Sequence, residues 1–411
     1  MFMPVPSILF VPCNAMQAKR FALVARHLPK SAKVLAVSNA NYLKLGAEEA
    51  LKAAGIEYER LDGLGAESCG RLLDKHSASL VVLGNDSDYI SYLFVLAARK
   101  RGIRSLMMQD GAIASLAAPP RRISLHDISN LLRIYSPGYM AARSTARLKS
   151  KFLRTQAPSL NKMGAYCTDL AVWGDFSRRL FAARGVPASA IHVTGNPTFD
   201  ELVQVKKSTE NAGRKKKQGK VILYASSDMA GARLWTHGEV RNAAEALAAA
   251  AQAIPGATLI IRPHPSESPS LYAGLEQKYS RTKVQPGGKL YSLIASADLV
   301  LTEISTVAFE SILLGKPVGI VNFTGRVISS NYPESYVKSG AALPISKTSN
   351  VANQIRLLLH DKKTSSALQK GRERFIREQV FKLDGKASKR VAAIIVKLSS
   401  KRQLATGRQL D

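Results

Sequence analysis

Short β-rich runs alternate with helical patterns along most of this chain, and this alternation constrains the fold more than any other feature. In the first half the runs are Ile8–Val11, Lys33–Val37, Leu80–Leu83 and Ser105–Gln109. In the second half they are Val221–Tyr224, Thr258–Arg262, Leu299–Thr302 and Val318–Asn322. Strands that alternate with helices form parallel sheets. The pattern therefore predicts an α/β protein with two Rossmann-like halves.

The length of 411 residues exceeds what one hydrophobic core usually fills, so two domains are expected. Between the two series of strands, Val205–Lys220 is polar and basic and lacks apolar periodicity, as is typical of an exposed linker. We expect an N-terminal domain over residues 1–205 and a C-terminal domain over residues 206–370. A basic helical region follows over residues 371–411.

Several classes of protein are disfavoured by what the sequence lacks. Its apolar stretches are shorter than the roughly 20 residues that cross a bilayer, and its start lacks the features of a secretory signal. Three cysteines without CxxC spacing indicate neither a disulfide framework nor a zinc site. No GxxxxGK[ST] or complete GxGxxG is present, so neither kinases nor ordinary dehydrogenases are favoured. We expect a cytoplasmic protein without a bound metal.

The first candidate site lies in the second half, where an apolar run stops at Arg262-Pro263-His264-Pro265. Open α/β sheets bind ligands at the carboxyl ends of their strands, and a guanidinium with an imidazole suits a phosphate. The prolines on both sides of His264 stiffen the turn. The alternative is a rigid turn with a capping histidine and no ligand.

A second phosphate-binding element is expected at Ser305 and Thr306, which lie between a strand and a helix. Their hydroxyls and the N–H groups at the start of the helix can bind a phosphate. Glu310 lies about one turn further, where its carboxylate can accept hydrogen bonds from ribose hydroxyls. The alternative is an ordinary helix cap followed by a solvated glutamate.

Together these segments resemble the donor-binding half of GT-B enzymes, especially the bacterial surface-polysaccharide group. That group includes CDP-glycerol glycerophosphotransferases, capsule Kdo transferases and bacterial sialyl- and polysialyltransferases. The resemblance implies that His264 in its HP motif and the Ser305-Thr306 pair contact the donor phosphate, and that Glu310 holds the nucleotide ribose. UDP-N-acetylglucosamine 2-epimerases share the fold more distantly, but their paired glycines are replaced here by Ser305 and Thr306.

In the first half, Asp110-Gly111 follows an apolar run. In the bacterial sialyltransferase pattern, an acidic residue followed by Asp-Gly supplies the general base that deprotonates the acceptor hydroxyl. The resemblance implies that Asp110 is this base, although Gln109 replaces the preceding acid here. A carboxylate in the cleft between the domains can accept a hydroxyl proton, whereas the alternative is a simple Asp-Gly turn. Asp86 is the reserve base. Asn14 and Asn196 follow likely strand ends and are possible cleft residues.

The net charge of +29, from 59 Lys and Arg against 30 Asp and Glu, suggests a polyanionic partner. Between Arg121 and Lys162 there are nine basic residues and one acid, mixed with large apolar and aromatic side chains. This composition suits an anionic membrane surface. RNA could use the same composition through stacking, but no RNA-binding signature is present, and a solvated surface is the third possibility.

We therefore expect a metal-independent GT-B glycosyltransferase or phosphopolyol transferase at the inner face of the cell membrane. Its co-substrate is a nucleotide-activated donor, CMP-linked in preference to UDP-linked, and no other cofactor is expected. Its acceptor is a cell-surface glycan or a lipid-linked molecule, and nucleic acid is not expected as a partner. Two alternatives remain open, a nucleotide-sugar epimerase and a non-catalytic basic protein that binds nucleic acid.

Overall fold

The computed structural model describes residues 5–39, 46–111, 163–211, 219–232, 234–325, 332–346 and 350–400, with residue 327 and a few residues between 138 and 145. The chain divides into two compact units. The first contains Met1–Asp110, Leu116–Asp200 and Phe381–Asp411. The second contains Gly111–Ser115 and Glu201–Val380.

The first unit is built on a seven-stranded parallel sheet of order β3-β2-β1-β4-β5-β6-β7. Its strands are β1 Ser7–Val11, β2 Lys33–Ser38, β3 Tyr58–Arg60, β4 Leu80–Leu83, β5 Arg104–Met108, β6 Asp169–Val172 and β7 Ile191–Val193. Its helices include α1 Ala15–Ala25, α2 Ala47–Ala53, α3 Ala66–Lys75, α4 Tyr89–Lys100 and α5 Asp175–Ala183.

The central strands of this sheet are apolar on both faces because helices cover both. All residues of β1 and β4 are buried, which explains why all of them except Ser7 are apolar. Asn14 and Asp88 cap the helices that follow these strands, since their side chains accept backbone N–H bonds in the first turn. Each of these two helices therefore begins at a polar cap a few residues after its strand ends.

The second unit is built on a six-stranded parallel sheet of order β10-β9-β8-β11-β12-β13. Its strands are β8 Lys220–Ala225, β9 Ala257–Arg262, β10 Thr282–Val284, β11 Leu299–Thr302, β12 Val318–Val321 and β13 Leu343–Ile345. The helices around them are α7 His237–Gln252, α8 Leu275–Lys278, α9 Leu290–Ser296, α10 Thr306–Leu313, α11 Tyr332–Lys338, α12 Val351–His360 and α13 Lys362–Gln379.

The segment between the two sheets is partly helical. Helix α6, Thr198–Asn211, begins in the first unit and continues into the second, through the first part of the segment expected to be a linker. Lys206 and Lys207 therefore lie on a helix. The basic run Arg214–Lys217 lies outside the described residues.

The C-terminal region expected from residue 371 onward is divided between the two units. Helix α13 belongs to the second unit, whereas the last helix, α14 Ala387–Ser399, belongs to the first. Val391, Ala392 and Ile395 of α14 are buried in the same core cluster as Ile8 of β1. Burial of this apolar face is the physical reason that α14 joins the first unit.

Among the described helices, none combines the length and the apolar character that a membrane span requires.

Candidate functional site

The second sheet has a topological switch point between β8 and β11. From β8 the chain proceeds through β9 to β10 at one edge, and it then returns to β11 and continues to the other edge. Such a reversal opens a crevice outside the carboxyl ends of the strands, where open α/β sheets bind ligands. Residues 226–228 after β8 and residues 303–305 after β11 border this crevice.

His264 lies at the same edge of the sheet, two residues beyond the end of β9, and its side chain is exposed. Its backbone N–H donates to Oε2 of Glu267 at 2.8 Å and approaches Oγ of Ser226 at 3.1 Å. These contacts join the HP turn to the loop after β8. The backbone of the turn is therefore fixed by buried side chains, while the imidazole faces solvent.

The imidazole also has a specific partner. Its Nδ1 lies 2.6 Å from Oγ of Ser266, and that hydroxyl donates to Oδ2 of Asp228 at 2.7 Å. Asp228 follows β8, so the chain of contacts again links the two central strand ends. Within the described residues, Nε2 of His264 makes no hydrogen bond.

Arg262, the last residue of β9, has its guanidinium directed toward the loop after β10. Its Nε and Nη2 donate to the carbonyl oxygens of Gly287 and Gly288 at 3.3 and 3.4 Å. Both glycines have positive φ, 112° and 85°, which other residues rarely adopt. The arginine is thus half-exposed at the carboxyl edge of the sheet and is oriented by backbone carbonyls.

Ser305 and Thr306 mark the start of helix α10, directly after β11. Oγ of Ser305 accepts a hydrogen bond from the N–H of Val307 at 3.1 Å, and Thr306 is exposed. The N-terminus of α10 lies at the switch point because the helix begins directly beyond the strand. Glu310 is half-buried one turn along, and it accepts a hydrogen bond from the hydroxyl of Tyr291 at 3.3 Å.

Two buried carboxyl groups near this edge, those of Glu303 and Glu267, were not predicted from the sequence. Glu303 is 1% exposed and accepts hydrogen bonds from the Tyr224 hydroxyl and, at 2.9 Å, from the N–H of Ser227. Burial raises its pKa to about 7. Glu267 accepts from the hydroxyls of Ser226 and Tyr272 as well as from His264. Glu303 directly follows an apolar strand, so the criterion that identified Asp110 would also have found it.

In the first unit, Asp110 forms an ion pair with an arginine that sequence reasoning also missed. Nη1 of Arg20 lies 2.6 Å from Oδ1 of Asp110, and Nη2 donates to the Asp110 carbonyl at 2.8 Å. Gln17 donates to Oδ2 at 2.8 Å. The Arg20 side chain is 3% exposed and that of Asp110 is 31% exposed. The carboxylate is thus fixed in direction and reachable from solvent.

Gln109 and Asp86, unlike Asp110, are buried and accept hydrogen bonds from neighbouring segments of the first unit. Gln109 is buried and brackets Trp173, accepting from its backbone N–H and from its indole N–H, both at 3.0 Å. Asp86 is completely buried, and it accepts backbone N–H bonds from Gly164, Tyr166 and Cys167 at 2.8–3.1 Å. Burial raises the pKa of Asp86 to about 6. It secures the segment before β6 and has no solvent-facing oxygen.

The two asparagines expected near strand ends both serve local structure. Oδ1 of Asn14 accepts from the N–H of Gln17 at 2.9 Å as the cap of α1. Asn196 is buried, and its Oδ1 accepts from the N–H and the hydroxyl of Thr198. Asn14 is half-exposed and lies at the carboxyl end of β1, whereas Asn196 is closed off from solvent.

Comparison with known families decides where this chain belongs. The model of the CDP-Glycerol:Poly(glycerophosphate) glycerophosphotransferase family matches residues 146–397, more than half of the chain. The chain belongs to this family. The match includes Arg262, His264, Ser305, Thr306 and Glu310, whereas Asn14, Asp86 and Asp110 precede it.

Solved structures share the fold of this glycerophosphotransferase family member at low identity. The UDP-GlcNAc 2-epimerase from Neisseria meningitidis, bound to UDP-GlcNAc, is 16% identical with a TM-score of 0.59, and the match covers 95% of this chain and 100% of that one. The S. aureus MnaA-UDP structure is 15% identical with a TM-score of 0.61, covering 98% and 100%. The wall teichoic acid polymerase TagF with CDPG is 14% identical with a TM-score of 0.58, covering 96% and 88%. No curated protein matches the sequence.

The family and the fold confirm the expected group and the two parallel-sheet α/β architecture. Membership of the family, rather than the fold, makes the chain a transferase that uses a nucleotide-activated donor. Within the residues described here, no three His, Cys, Asp or Glu side chains cluster closely enough to hold a metal ion. Most of the basic segment Arg121–Lys162 lies outside the described residues.

Proposed function

We propose that this protein transfers a sugar or a polyol phosphate from a cytidine-activated donor to a cell-surface glycan or a lipid-linked acceptor. The observation that carries the proposal is the position of His264. Its exposed imidazole is oriented by the loop after β8, at the carboxyl edge where α10 also begins. Membership of a CDP-glycerol glycerophosphotransferase family supports a cytidine donor over a uridine donor.

The second unit binds the donor in this proposal. The imidazole of His264, the guanidinium of Arg262 and the N-terminus of α10 with Ser305 and Thr306 bind the donor phosphates. Such groups neutralise the charge that develops on the departing nucleotide phosphate, which is the role that a metal ion has in other transferases. Glu310 accepts hydrogen bonds from the ribose hydroxyls.

The first unit supplies the base. Asp110 accepts the proton of the acceptor hydroxyl while the hydroxyl oxygen bonds to the carbon or phosphorus atom being transferred. The bond from that atom to the nucleotide phosphate oxygen breaks, and CMP departs with the electron pair. Arg20 and Gln17 keep the carboxylate of Asp110 in one orientation during this step.

We also propose that the protein works at the inner face of the cell membrane. The basic and apolar segment Arg121–Lys162 carries nine basic residues against one acid. The exposed lysines Lys362, Lys363, Lys386 and Lys389 on or beside α13 and α14 add to this charge. Anionic lipid attracts such residues, and a lipid-linked acceptor lies at the same surface.

The proposal is tested by thermal shift with CMP, CDP, UMP, UDP, CDP-glycerol, CMP-Kdo and UDP-GlcNAc. We expect cytidine compounds to raise the melting temperature because they bind only the folded state. His264→Ala should abolish the shift, while His237→Ala, which changes an exposed histidine of the same unit, should preserve it.

Two outcomes would overturn this assignment. Conversion of UDP-GlcNAc to its 2-epimer without an acceptor would make the protein an epimerase. Binding of RNA with no response to any nucleotide donor would favour the nucleic-acid alternative.

A further inference from the structure

The contacts of the His264 ring determine which of its nitrogens carries a proton. Nδ1 lies 2.6 Å from Oγ of Ser266, and this oxygen lies 2.7 Å from Oδ2 of Asp228. The other oxygen of Asp228 accepts the N–H of Gly231 at 2.9 Å. The carboxylate is thus anchored on one side by backbone and faces the serine on the other.

Counting protons along this chain gives one arrangement. An ionised carboxylate only accepts hydrogen bonds, so the single hydroxyl proton of Ser266 is directed at Asp228. Oγ of Ser266 then presents a lone pair to Nδ1, and a separation of 2.6 Å requires a proton between the two atoms. The backbone N–H of Ser266 is directed at Nδ1 as a donor over the longer distance of 3.2 Å. If Nδ1 only accepted this bond, two lone pairs would face each other at the 2.6 Å contact with Oγ. The shorter contact decides the arrangement, and Nδ1 carries the proton.

We propose that Asp228, acting through Ser266, fixes His264 in its Nδ1–H form, so that Nε2 donates to a donor phosphate only when the ring is an imidazolium. Asp228 and Ser266 are then positioning residues, and His264 is a phosphate ligand that is switched by pH. The identity of the ligand rests on the proposed function, whereas the state of the ring does not.

In the described part of the second unit, four charged or titratable groups lie on the HP turn or on the segments that contact it. Asp228 and Glu267 are acids held against the HP turn. Arg262 lies two residues away and is directed toward the loop after β10. Glu303 contacts Ser227 in the loop that carries Asp228, and its pKa of about 7 means that it titrates in the same range as a histidine. Any pH experiment therefore needs a variant without Glu303.

The ring state is measured by two-bond proton–nitrogen NMR of the full chain with nitrogen-labelled histidine, without any nucleotide. The signal of His264 is assigned by its loss in His264→Ala. At a pH where the ring is neutral, we expect the Nδ1–H tautomer. Observation of the Nε2–H tautomer in the wild type would overturn the inference.

Asp228→Asn should reverse the tautomer. The N–H of Gly231 keeps the amide oxygen on its side, so the amide NH₂ faces Ser266 and donates to its Oγ. The hydroxyl proton then turns to Nδ1, and the neutral ring becomes Nε2–H. Ser266→Ala should produce the same Nε2–H tautomer, because the backbone N–H of residue 266 then remains as the donor to Nδ1. This second variant replaces the first if Asp228→Asn does not fold. A wild-type tautomer in both variants would contradict the relay.

Binding of CDP between pH 7 and 9 links the ring to the ligand, because the phosphate, whose last pKa is about 6, stays ionised in this range. Once the wild-type ring is neutral, its affinity should fall by about tenfold for each further pH unit, whereas Asp228→Asn should show a flatter profile since its neutral ring already presents Nε2–H. Glu303→Gln should keep the wild-type slope, and a flat profile in that variant would assign the pH dependence to Glu303. If the tautomers are as expected but no nucleotide binds, the proposed function fails and the relay stands.

Discussion

The carboxylate of Asp200 accepts a hydrogen bond from the backbone N–H of Ala387, 187 residues further along the chain, at 2.9 Å. Its other oxygen accepts the N–H of Ser388 at 2.8 Å. Both N–H groups belong to the first turn of α14, where the backbone N–H groups of a helix have no acceptor within the helix. A residue from helix α6 therefore caps the last helix and fixes it on the first unit.

Replacing Asp200 with alanine should destabilise the protein by about 1–2 kcal/mol, because two buried N–H groups lose their acceptor. Chemical denaturation monitored by circular dichroism measures the change. Asp175→Ala is the matched control, since this aspartate lies in the first turn of α5 but is 51% exposed, and its removal should have little effect. Equal stability of the two variants would show that the contact with α14 contributes nothing.

Glu303→Gln should change how stability depends on pH. Burial raises the pKa of Glu303 from 4.5 to about 7 in the folded state, so the folded protein holds a proton that the unfolded chain has released between these values. The contribution of Glu303 to wild-type stability should therefore fall as pH rises from 4.5 through 7, by about 3 kcal/mol in total, and remain level above. The glutamine variant has no titratable carboxyl group at position 303, so its stability lacks this pH-dependent contribution. The free-energy difference between the two proteins should thus vary across this range, and a constant difference would contradict the raised pKa.

Asp110→Asn should leave donor binding nearly unchanged and reduce transfer by about 10²–10⁴-fold, because the amide keeps the shape and loses the base. Donor affinity by calorimetry and release of CMP in the presence of an acceptor measure the two effects. Asp86→Asn is the comparison, and we expect it to lower stability because the amide cannot accept all three backbone N–H bonds. Full turnover in Asp110→Asn would exclude this residue as the base.

Glu310→Gln should weaken nucleotide binding by about tenfold through loss of a charge-assisted hydrogen bond to ribose, without changing the melting temperature of the free protein. Deoxycytidine nucleotides provide a second measurement, since they lack one of the hydroxyls. Glu373→Gln, at an exposed position on α13, is the control and should bind as the wild type does. Unaltered affinity in Glu310→Gln would make this residue part of the helix surface only.

The protein should sediment with vesicles that contain anionic lipid, ignore neutral vesicles and be released by salt. Each engaged basic residue contributes about 1 kcal/mol, and 0.1 M salt screens exposed charges beyond roughly 10 Å. Reversal to glutamate of Arg143, Arg147, Lys149 and Lys151 should abolish sedimentation while preserving nucleotide binding.

Four reversals on the described surface of the first unit, Lys30, Lys52, Arg71 and Lys100, are the control for total charge. If both sets reduce sedimentation equally, net charge rather than the segment accounts for it. Preference for RNA over anionic vesicles at the same salt concentration would contradict the membrane assignment.

Strands with continuous apolar sequences were predictable, and the short edge strands were not. Leu80–Leu83 and Leu299–Thr302 were predicted at their observed bounds, because buried parallel strands require apolar residues on both faces. Strands β3, β10 and β13 lie at the edges of the sheets and have three residues each, too few to produce a pattern. The helical start of the expected linker was also missed, since the C-terminal part of α6 is polar and exposed.

The candidate residues at strand ends were predictable from the sequence, but the side chains that contact them were not. His264 and Ser305 were found because they follow apolar runs, and both lie at the carboxyl edge of the second sheet. Arg20 could not be linked to Asp110, because the two residues are 90 positions apart and meet only through the adjacency of helix and sheet. Asp228 likewise reaches His264 only through the folded loops.

The return of α14 to the first unit has a consequence for synthesis on the ribosome. Multidomain chains generally fold from the N-terminal domain onward as they emerge. Here the core around β1 is completed by Val391 and Ile395, so the first unit cannot bury all of its apolar surface until α14 has been translated. The second unit consists of Glu201–Val380 and the short earlier segment Gly111–Ser115. All of its strands precede α14, so it can complete its sheet earlier. The order of folding should therefore run against the order of the sequence, with the second unit formed first and the first unit awaiting its last helix.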